Sequence, residues 1–371
     1  MGIAVTEVTS RADMRRFIRY PLSLYAGDPL FVPHLLSERK RFFRPSNPLF
    51  AFTEVRYLLA RDDAGRVLGR VTAHENRRHN EFWEDRAGFF GFFECVDDVD
   101  AARALLTAAE DWLRGRGMDT VRGPLNFSTN EECGFLVDGF DRMPAFMMPY
   151  TKPYYPALMA GCGYAKAKDL LAYEYDRQGD IPDRVARHAE RATERAGAVV
   201  RPINVRDFEA DVRAAFSVYN DAWARNWGFV PMSEAQFGHM ARDLKDIVEP
   251  SLALIAEIEG RPVGFSLALP DLNPVLKKMN GRLFPFGIFR FLLGRRRARG
   301  TRVLTMGVVP EHRRRGIEMA LIYHTFKNGY ERGIGHGEFS WILEDNVLMR
   351  RTLERFGAAA TKTYRIYEKA L

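Results

Sequence analysis

Three consecutive arginines, Arg313-Arg314-Arg315, stand between an apolar run that ends at a proline and a glycine that opens a longer apolar-periodic segment. The stretch reads Leu304-Thr305-Met306-Gly307-Val308-Val309-Pro310-Glu311-His312-Arg313-Arg314-Arg315-Gly316-Ile317. The first amides of a helix have no intrahelical acceptor, and the helix dipole adds partial positive charge at the same end. Gly316 lets a ligand come close to the backbone there, and the arginines surround the spot. That assembly suits a pyrophosphate. A bare arginine triplet reads more simply as a solvated turn; the order strand, proline, basic loop, helix is what favours the anion site.

Two other stretches are denser in functional groups than connectors need to be. Gly123-Pro124-Leu125-Asn126-Phe127-Ser128-Thr129-Asn130-Glu131-Glu132-Cys133-Gly134 follows a strand, and Met147-Met148-Pro149-Tyr150 lies shortly after it. Loops at strand ends often carry function, although filling a domain interface accounts for them equally well. A third stretch, residues 271–302, interrupts two strands. Its centre is Leu283-Phe284-Pro285-Phe286-Gly287-Ile288-Phe289-Arg290-Phe291-Leu292-Leu293, preceded by Lys277 and Lys278 and followed by Arg295, Arg296, Arg297 and Arg299. A short apolar run between cations fits the headgroup boundary of an anionic membrane surface, contacted through residues 275–299. A substrate lid or a segment packed on the other domain is the alternative. Both readings favour a hydrophobic substrate.

The elements that must hold these groups alternate between strand and helix, which gives an α/β class. At 371 residues the chain has room for two domains. Expected strands in the second half are Ala198–Ile203, Leu252–Glu257, Pro262–Leu269, Val303–Val309, Glu338–Leu343 and Thr361–Tyr367, with helices at Val205–Trp223, Ser233–Ile247, Ile317–Arg332 and Asn346–Phe356. The first half repeats the plan: strand Ile3–Val8, helix Arg11–Tyr20, hairpin Val55–Arg61 with Val67–Ala73, strand Gly88–Glu94, helix Val99–Arg116, strand Thr120–Gly123. Gly163, Ala165, Lys168, Tyr173 and Glu174 recur 194 positions later as Gly357, Ala359, Lys362, Tyr367 and Glu368. The expected division is a first domain over 1–177, a linker helix over 178–197 and a second domain over 198–371.

Net charge is +7, which attracts anions: nucleic acid, a membrane face or a phosphate-rich ligand. Nucleic acid is disfavoured because no interleaved aromatic–basic recognition pattern appears. Three cysteines match no zinc spacing, so no metal is expected and a reducing compartment is. No secretory signal or apolar span of about 18 residues is found, and the expected location is cytoplasmic, with peripheral contact on the inner membrane face possible.

At Val308, Pro310, Arg313 and Gly316 the sequence resembles the GNAT acyltransferase superfamily, whose signature V-x-P-x-x-R/Q-x-x-G-x-G/A joins a central strand to a helix. Glu318 stands where a second small residue is usual. A later family pattern, N-x-x-A-x-x-x-Y-x-x-x-G-F, falls on Asn346, Met349, Leu353, Gly357 and Ala358, so the tyrosine that protonates the departing thiolate is replaced by Leu353. The resemblance implies two tandem GNAT-like domains and acyl-CoA as co-substrate. Its thioester end would lie near the backbone of Met306, Gly307 and Val308. Val309, Arg313, Arg314, Arg315, Gly316 and Ile317 would line the diphosphate site, and Asn346 would cap a helix near the pantetheine.

The first half has Phe92-Phe93-Glu94-Cys95-Val96-Asp97-Asp98 at the corresponding place, acidic and without glycine, so it is the degenerate copy. For the base that deprotonates the amine, Glu344 is the first candidate and Glu131 and Glu132 the second; Tyr364 or Tyr150 could replace the missing acid. The loops, the insertion and the doubled plan are similar to one subgroup, the bacterial ceramide synthase type. This implies an acyl-CoA N-acyltransferase acting on the amine of a lipid-like amino alcohol such as a sphingoid base. An acetyltransferase of a small amine or protein lysine is the alternative.

Overall fold

The computed structural model describes residues 2–176, 181, 183–285 and 287–371. The first half contains β1 (Ile3–Glu7), α1 (Arg11–Leu24), α2 (Leu36–Phe42), β2 (Thr53–Asp62), β3 (Val67–Asn76), α3 (Arg77–Trp83), β4 (Ala87–Cys95), α4 (Val99–Arg114), β5 (Thr120–Gly123), β6 (Phe135–Asp138), α5 (Tyr155–Gly161) and β7 (Ala165–Asp176). After α6 (Asp183–Ala196) come β8 (Ala198–Pro202), α7 (Phe208–Trp223), α8 (Glu234–Leu244), β9 (Ala253–Ile258), β10 (Arg261–Pro270), α9 (Asn273–Met279), α10 (Gly287–Arg296), β11 (Gly300–Val308), α11 (Ile317–Glu331), β12 (His336–Leu343), α12 (Val347–Arg355) and β13 (Ala359–Ala370).

Local chemistry accounts for these elements. β4 is an almost unbroken apolar run because it is buried on both sides. Phe93 packs into the core built on α4, and Phe92 into the cluster around Phe17 of α1. α4 begins where the Asp98 carboxylate accepts from the amides of Asp100 and Ala101, and it turns Leu105, Leu106, Ala109 and Leu113 inward at helical spacing. α8 starts with a reciprocal cap between Ser233 and Gln236.

One mixed sheet runs through the molecule in the order β1-β2-β3-β4-β5-β13-β7-β12-β11-β10-β9-β8, with β6 on the side of β13. The order is a palindrome if each strand of the first half is equated with its counterpart in the second. The repeat marked by the 194-residue offset lies at the centre. β7 and β13 begin and end 194 positions apart (359 − 165 and 370 − 176) and pair antiparallel, Ala359 opposite Glu174 and Glu368 opposite Ala165. Pairing of equivalent strands in opposite directions is what an approximate two-fold axis between the halves requires.

The central strands are also exchanged. β13, from the end of the chain, pairs with β5 of the first half, whereas β7 pairs with β12 of the second. The sheet therefore has no break at residue 177 or 198, and the two halves interlock. β7 and β13 carry nearly the same pattern, so sequence alone does not say which of them each half uses. Their junction holds a buried charge network. Lys362 on β13 donates to Glu174 on β7 and to Glu338 on β12 (2.9 Å), Glu338 accepts from Ser340 Oγ (2.7 Å), and Arg142 reaches Glu174 (2.8 Å).

Candidate active site

β11 and β12 run parallel and share a ladder only from Gly300–Val303 to His336–Phe339. Beyond it β11 continues along β10 as far as Val308, and β12 continues along β7 as far as Leu343. A wedge opens between them, at the carboxyl ends of parallel strands where α/β sheets bind ligands. The first half has the same divergence after Phe89 and Arg122 of β4 and β5. There the chain fills its own wedge. The Leu125 amide donates to the Phe90 carbonyl (2.8 Å), the Phe92 amide donates to Asn126 Oδ1 (2.7 Å), and a methyl group at Gly91 would lie 2.0 Å from the Leu125 carbonyl oxygen. Asp98 caps the following helix with a carboxylate. The first copy is closed to an anion, and the second is open.

At the open wedge, Met306, Gly307 and Val308 lie on β11, with Gly307 beneath the Trp223 ring, and Val309 ends the strand by donating to the Val263 carbonyl (2.9 Å). Arg313 folds back: its guanidinium donates to the carbonyls of Val308 and Ala222, so it braces the loop. Arg314 and Arg315 are exposed. Arg314 (φ 61°) and Gly316 (φ 89°) are left-handed, which turns successive amides toward one side. Among the described residues the amides of Arg314, Arg315, Gly316, Ile317, Glu318 and Met319 donate to no acceptor. α6 borders this loop, since a Cβ at Gly316 would come 2.4 Å from Ala192 Cβ.

A cavity of about 870 Å³ begins at the strand ends around Leu304, Thr305, Trp341 and Leu343 and extends between the halves to α1, α2, α7, α8 and α10. Its size is in the upper part of the range of ligand pockets, and aromatic and aliphatic side chains make up most of its wall. The segment 124–134 that closes the first wedge carries Glu131 and Glu132 into this cavity.

The two adjacent carboxylates have different surroundings. Burial disfavours ionisation of Glu132, but Arg39 and His34 outweigh it, helped by hydrogen bonds from Arg39 (2.5 Å) and Asn126 (3.1 Å); its pKa is held down at about 2. Glu131 makes no hydrogen bond and no close ion pair with a described side chain, and Arg39 attracts its charge only from a distance. Burial first, and then the neighbouring Glu132 charge, push it up to about 7. Two carboxylates forced apart in this way mark a permanent anion beside a group that exchanges a proton near neutrality. His34, half-buried beside Arg39, is pushed down to about 3 by its partial burial and the Arg39 charge and is neutral.

The other sequence-derived candidates fall elsewhere. Glu344 accepts from Lys166 (2.6 Å) and from the Asp169 amide (3.0 Å), which outweigh partial burial and hold its carboxyl below the usual range; it does not line the cavity. Tyr364 is fully buried behind the cavity wall, its phenol raised by burial and its hydroxyl without a partner among the described residues. Asn346 caps α12 by accepting from the Met349 amide (3.2 Å), and Leu353 is core. Tyr150 does face the cavity, donating to Asp28 (3.2 Å), with its phenol pushed to about 12 by burial and Asp28.

Sequence reasoning missed Arg39, His34 and Arg302. Arg39 sits in a basic run that reads as a solvated helix face. Arg302 follows the cationic end of the 271–302 stretch, yet it is buried in the floor of the wedge. It donates to Ser340 Oγ (2.9 Å) and to the Phe146 and Met147 carbonyls (3.0 and 3.1 Å), tying the 147–150 segment to β12. Its place on a strand beside the buried Val303 is the only signal that could have separated it from its exposed neighbours.

Two curated relatives align along essentially the whole chain. The Bacterial ceramide synthase of Caulobacter vibrioides is 36% identical over 378 aligned positions, covering 100% of this chain and 98% of that protein. Protein YghO of Escherichia coli is 36% identical over 98% of this chain and 94% of its own. No protein-family model matches. Among solved structures, a GCN5-related N-acetyltransferase from Sphaerobacter thermophilus superposes over 99% of this chain and 95% of its own (TM-score 0.55, 16% identity). A tandem GNAT protein from the clavulanic acid biosynthesis pathway superposes over 100% and 98% (TM-score 0.58, 12% identity). With a doubled GNAT fold and a relative of this identity matched end to end, the chain belongs to the bacterial ceramide synthase family of N-acyltransferases.

Proposed function

We propose that this protein transfers a long-chain acyl group from acyl-CoA to the amine of a lipid-like amino alcohol, with Glu131 as the base. The observation that carries the reading is the apolar 870 Å³ cavity, which joins the open wedge to a carboxylate poised near neutrality. The free amides of Arg314–Met319, with Arg314 and Arg315 beside them, hold the diphosphate, and the pantetheine arm lies in the wedge along Met306–Val308. The thioester then enters the cavity at Thr305. The amine attacks in its neutral form, and Glu131 takes the one proton its nitrogen loses as the bond to carbon forms. Nitrogen bonds to the carbonyl carbon, the C–S bond breaks, and coenzyme A leaves as thiolate. A free thiol titrates near about 8.5, so this leaving group makes only a modest demand on a general acid.

Thiol release measured with acetyl-CoA and palmitoyl-CoA, each with a long-chain amino alcohol and with a short amine, tests the substrate class. The long donor and long acceptor together should give the highest kcat/KM; preference for acetyl-CoA and the short amine would sink it. The loop needs its own test. Substituting Gly316 is unsuitable, because any side chain there strikes Ala192. The exposed pair is the better target. Arg314→Glu/Arg315→Glu should weaken CoA binding by about 10²–10⁴-fold, given that charge-assisted hydrogen bonds contribute about 1.5–3 kcal/mol each. Calorimetric titration with CoA reads this directly, and an unchanged Kd would move the diphosphate elsewhere.

A further inference from the structure

α9 and α10 form a hairpin whose sequence is lopsided in charge. From residue 272 to 302 there are two lysines and seven arginines and no aspartate or glutamate. α10 is also apolar on more than one face. Ile288 and Phe291, with Leu283 before them, line the cavity. Phe289, Leu292 and Leu293 point the other way, exposed to 64%, 52% and 58%, and Phe284 nearby is 72% exposed. A helix with apolar residues on opposite sides has an unmet partner on the outer one. Four large side chains clustered on one hairpin exceed the scattered exposure normal for a surface. Among the described residues no helix is long and apolar enough to cross a membrane, so the patch does not belong to a spanning segment.

We propose that this hairpin seats the protein on an anionic phospholipid bilayer, and that the acceptor lipid passes from the bilayer into the cavity alongside α10. Charge complementarity selects the occupant. Lys277, Lys278, Arg282, Arg295, Arg297 and Arg299 flank the apolar run in sequence, and a bilayer bearing anionic headgroups offers negative charge at the rim and hydrocarbon at the centre. A protein partner or a second copy would have to supply an acidic ring of matching size. Because the cavity wall and the outward patch are two sides of one ten-residue helix, the membrane lies one helix thickness from the substrate site. An amine with a long chain can thus be drawn in without its tail crossing water. The inference rests on the reading of the cavity as a lipid site, but its primary test does not depend on catalysis.

The full chain is incubated with vesicles of phosphatidylcholine alone and of phosphatidylcholine with one-quarter phosphatidylglycerol, and co-sedimentation is measured. Binding should appear only with the anionic vesicles and should fall at 0.5 M salt, where charge is screened. Phe289→Ser/Leu292→Ser/Leu293→Ser should lower the partition at least tenfold, and so should Arg297→Glu/Arg299→Glu, with circular dichroism unchanged. In turnover assays the serine variant should keep its activity toward a short water-soluble amine and lose it toward a vesicle-embedded long-chain amine. Absence of sedimentation with anionic vesicles overturns the proposal, as does a dimer in light scattering that the serine variant dissolves. Vesicle binding without acyl transfer would leave the membrane seating standing and end the functional reading together with the entry of the acceptor alongside α10.

Discussion

Glu131→Gln should lower kcat by about 10²–10⁴-fold while leaving the KM for acyl-CoA near that of the parent. A positioned general base contributes about that factor, and glutamine preserves shape without accepting the proton. In the parent, kcat/KM should rise with pH through about 7, the value at which Glu131 loses its proton in the cavity. A second variant separates this role from a structural one. Glu132→Gln removes the negative neighbour that is the second cause of the raised Glu131 pKa, and it frees Arg39 to act on Glu131 instead. Both changes favour the Glu131 anion, so the acid limb of the profile should move to lower pH. A merely structural defect would reduce the rate without moving the limb.

The same group has a stability signature of the opposite sense. Its folded pKa of about 7 lies above the ordinary 4.5. Between those values the native state holds a proton that the unfolded chain has released, so stability falls as pH rises across the window. Glu131→Gln abolishes that slope and should melt at or above the parent's temperature at pH 8 while being far less active. Equal pH slopes in the two proteins would remove the case for Glu131 as the perturbed carboxylate. The trade of stability for a reactive group is common at active sites.

The strand–loop–helix unit proposed to hold the diphosphate was legible in the sequence because every part of it is local: a strand, a proline, basic residues and a glycine within fourteen positions. The helix caps at Asn346 and Ser233 are local in the same way. The 194-residue repeat was visible because strands keep their pattern when duplicated, and it marked β7 and β13 correctly as equivalents. What it could not carry was the exchange of those strands, since partner choice is decided by tertiary packing. The proposed base was hidden for a related reason. Glu344 lies close in sequence to the helix that caps at Asn346, yet Lys166 from β7 captures it. Glu131 lies some 175 positions before the loop, and its raised pKa comes from burial and the neighbouring Glu132 charge, neither of which leaves a spacing. The N-terminal half also looked merely degenerate in its letters. Its segment 124–134 both closes the first wedge and delivers carboxylates to the cavity between the halves.

The exchange of strands makes Lys362 the point where the whole molecule should be most sensitive. It is about 2% exposed, on β13, between Glu174 of β7 and Glu338 of β12, so one ammonium joins three neighbouring strands drawn from both halves. Burial opposes its charge, but the two carboxylates outweigh that and keep it protonated, with its pKa raised. Lys362→Met leaves Glu338 in the interior without its paired cation and Glu174 with only the exposed Arg142. Breaking a buried ion pair from one side costs about 3–5 kcal/mol, a large share of the roughly 5–15 kcal/mol that a folded domain has in total. Urea unfolding should therefore show a markedly lower midpoint. Lys362→Met/Glu338→Gln should recover part of the loss, because one orphaned charge goes with the lysine. Since β13 completes the first half's sheet and β7 the second's, neither half can unfold and leave the other intact. The parent should lose tryptophan fluorescence and helical circular dichroism in one coincident transition, despite its two-domain length. Two separated transitions, or a Lys362→Met midpoint equal to the parent's, would falsify the interlock as the source of stability.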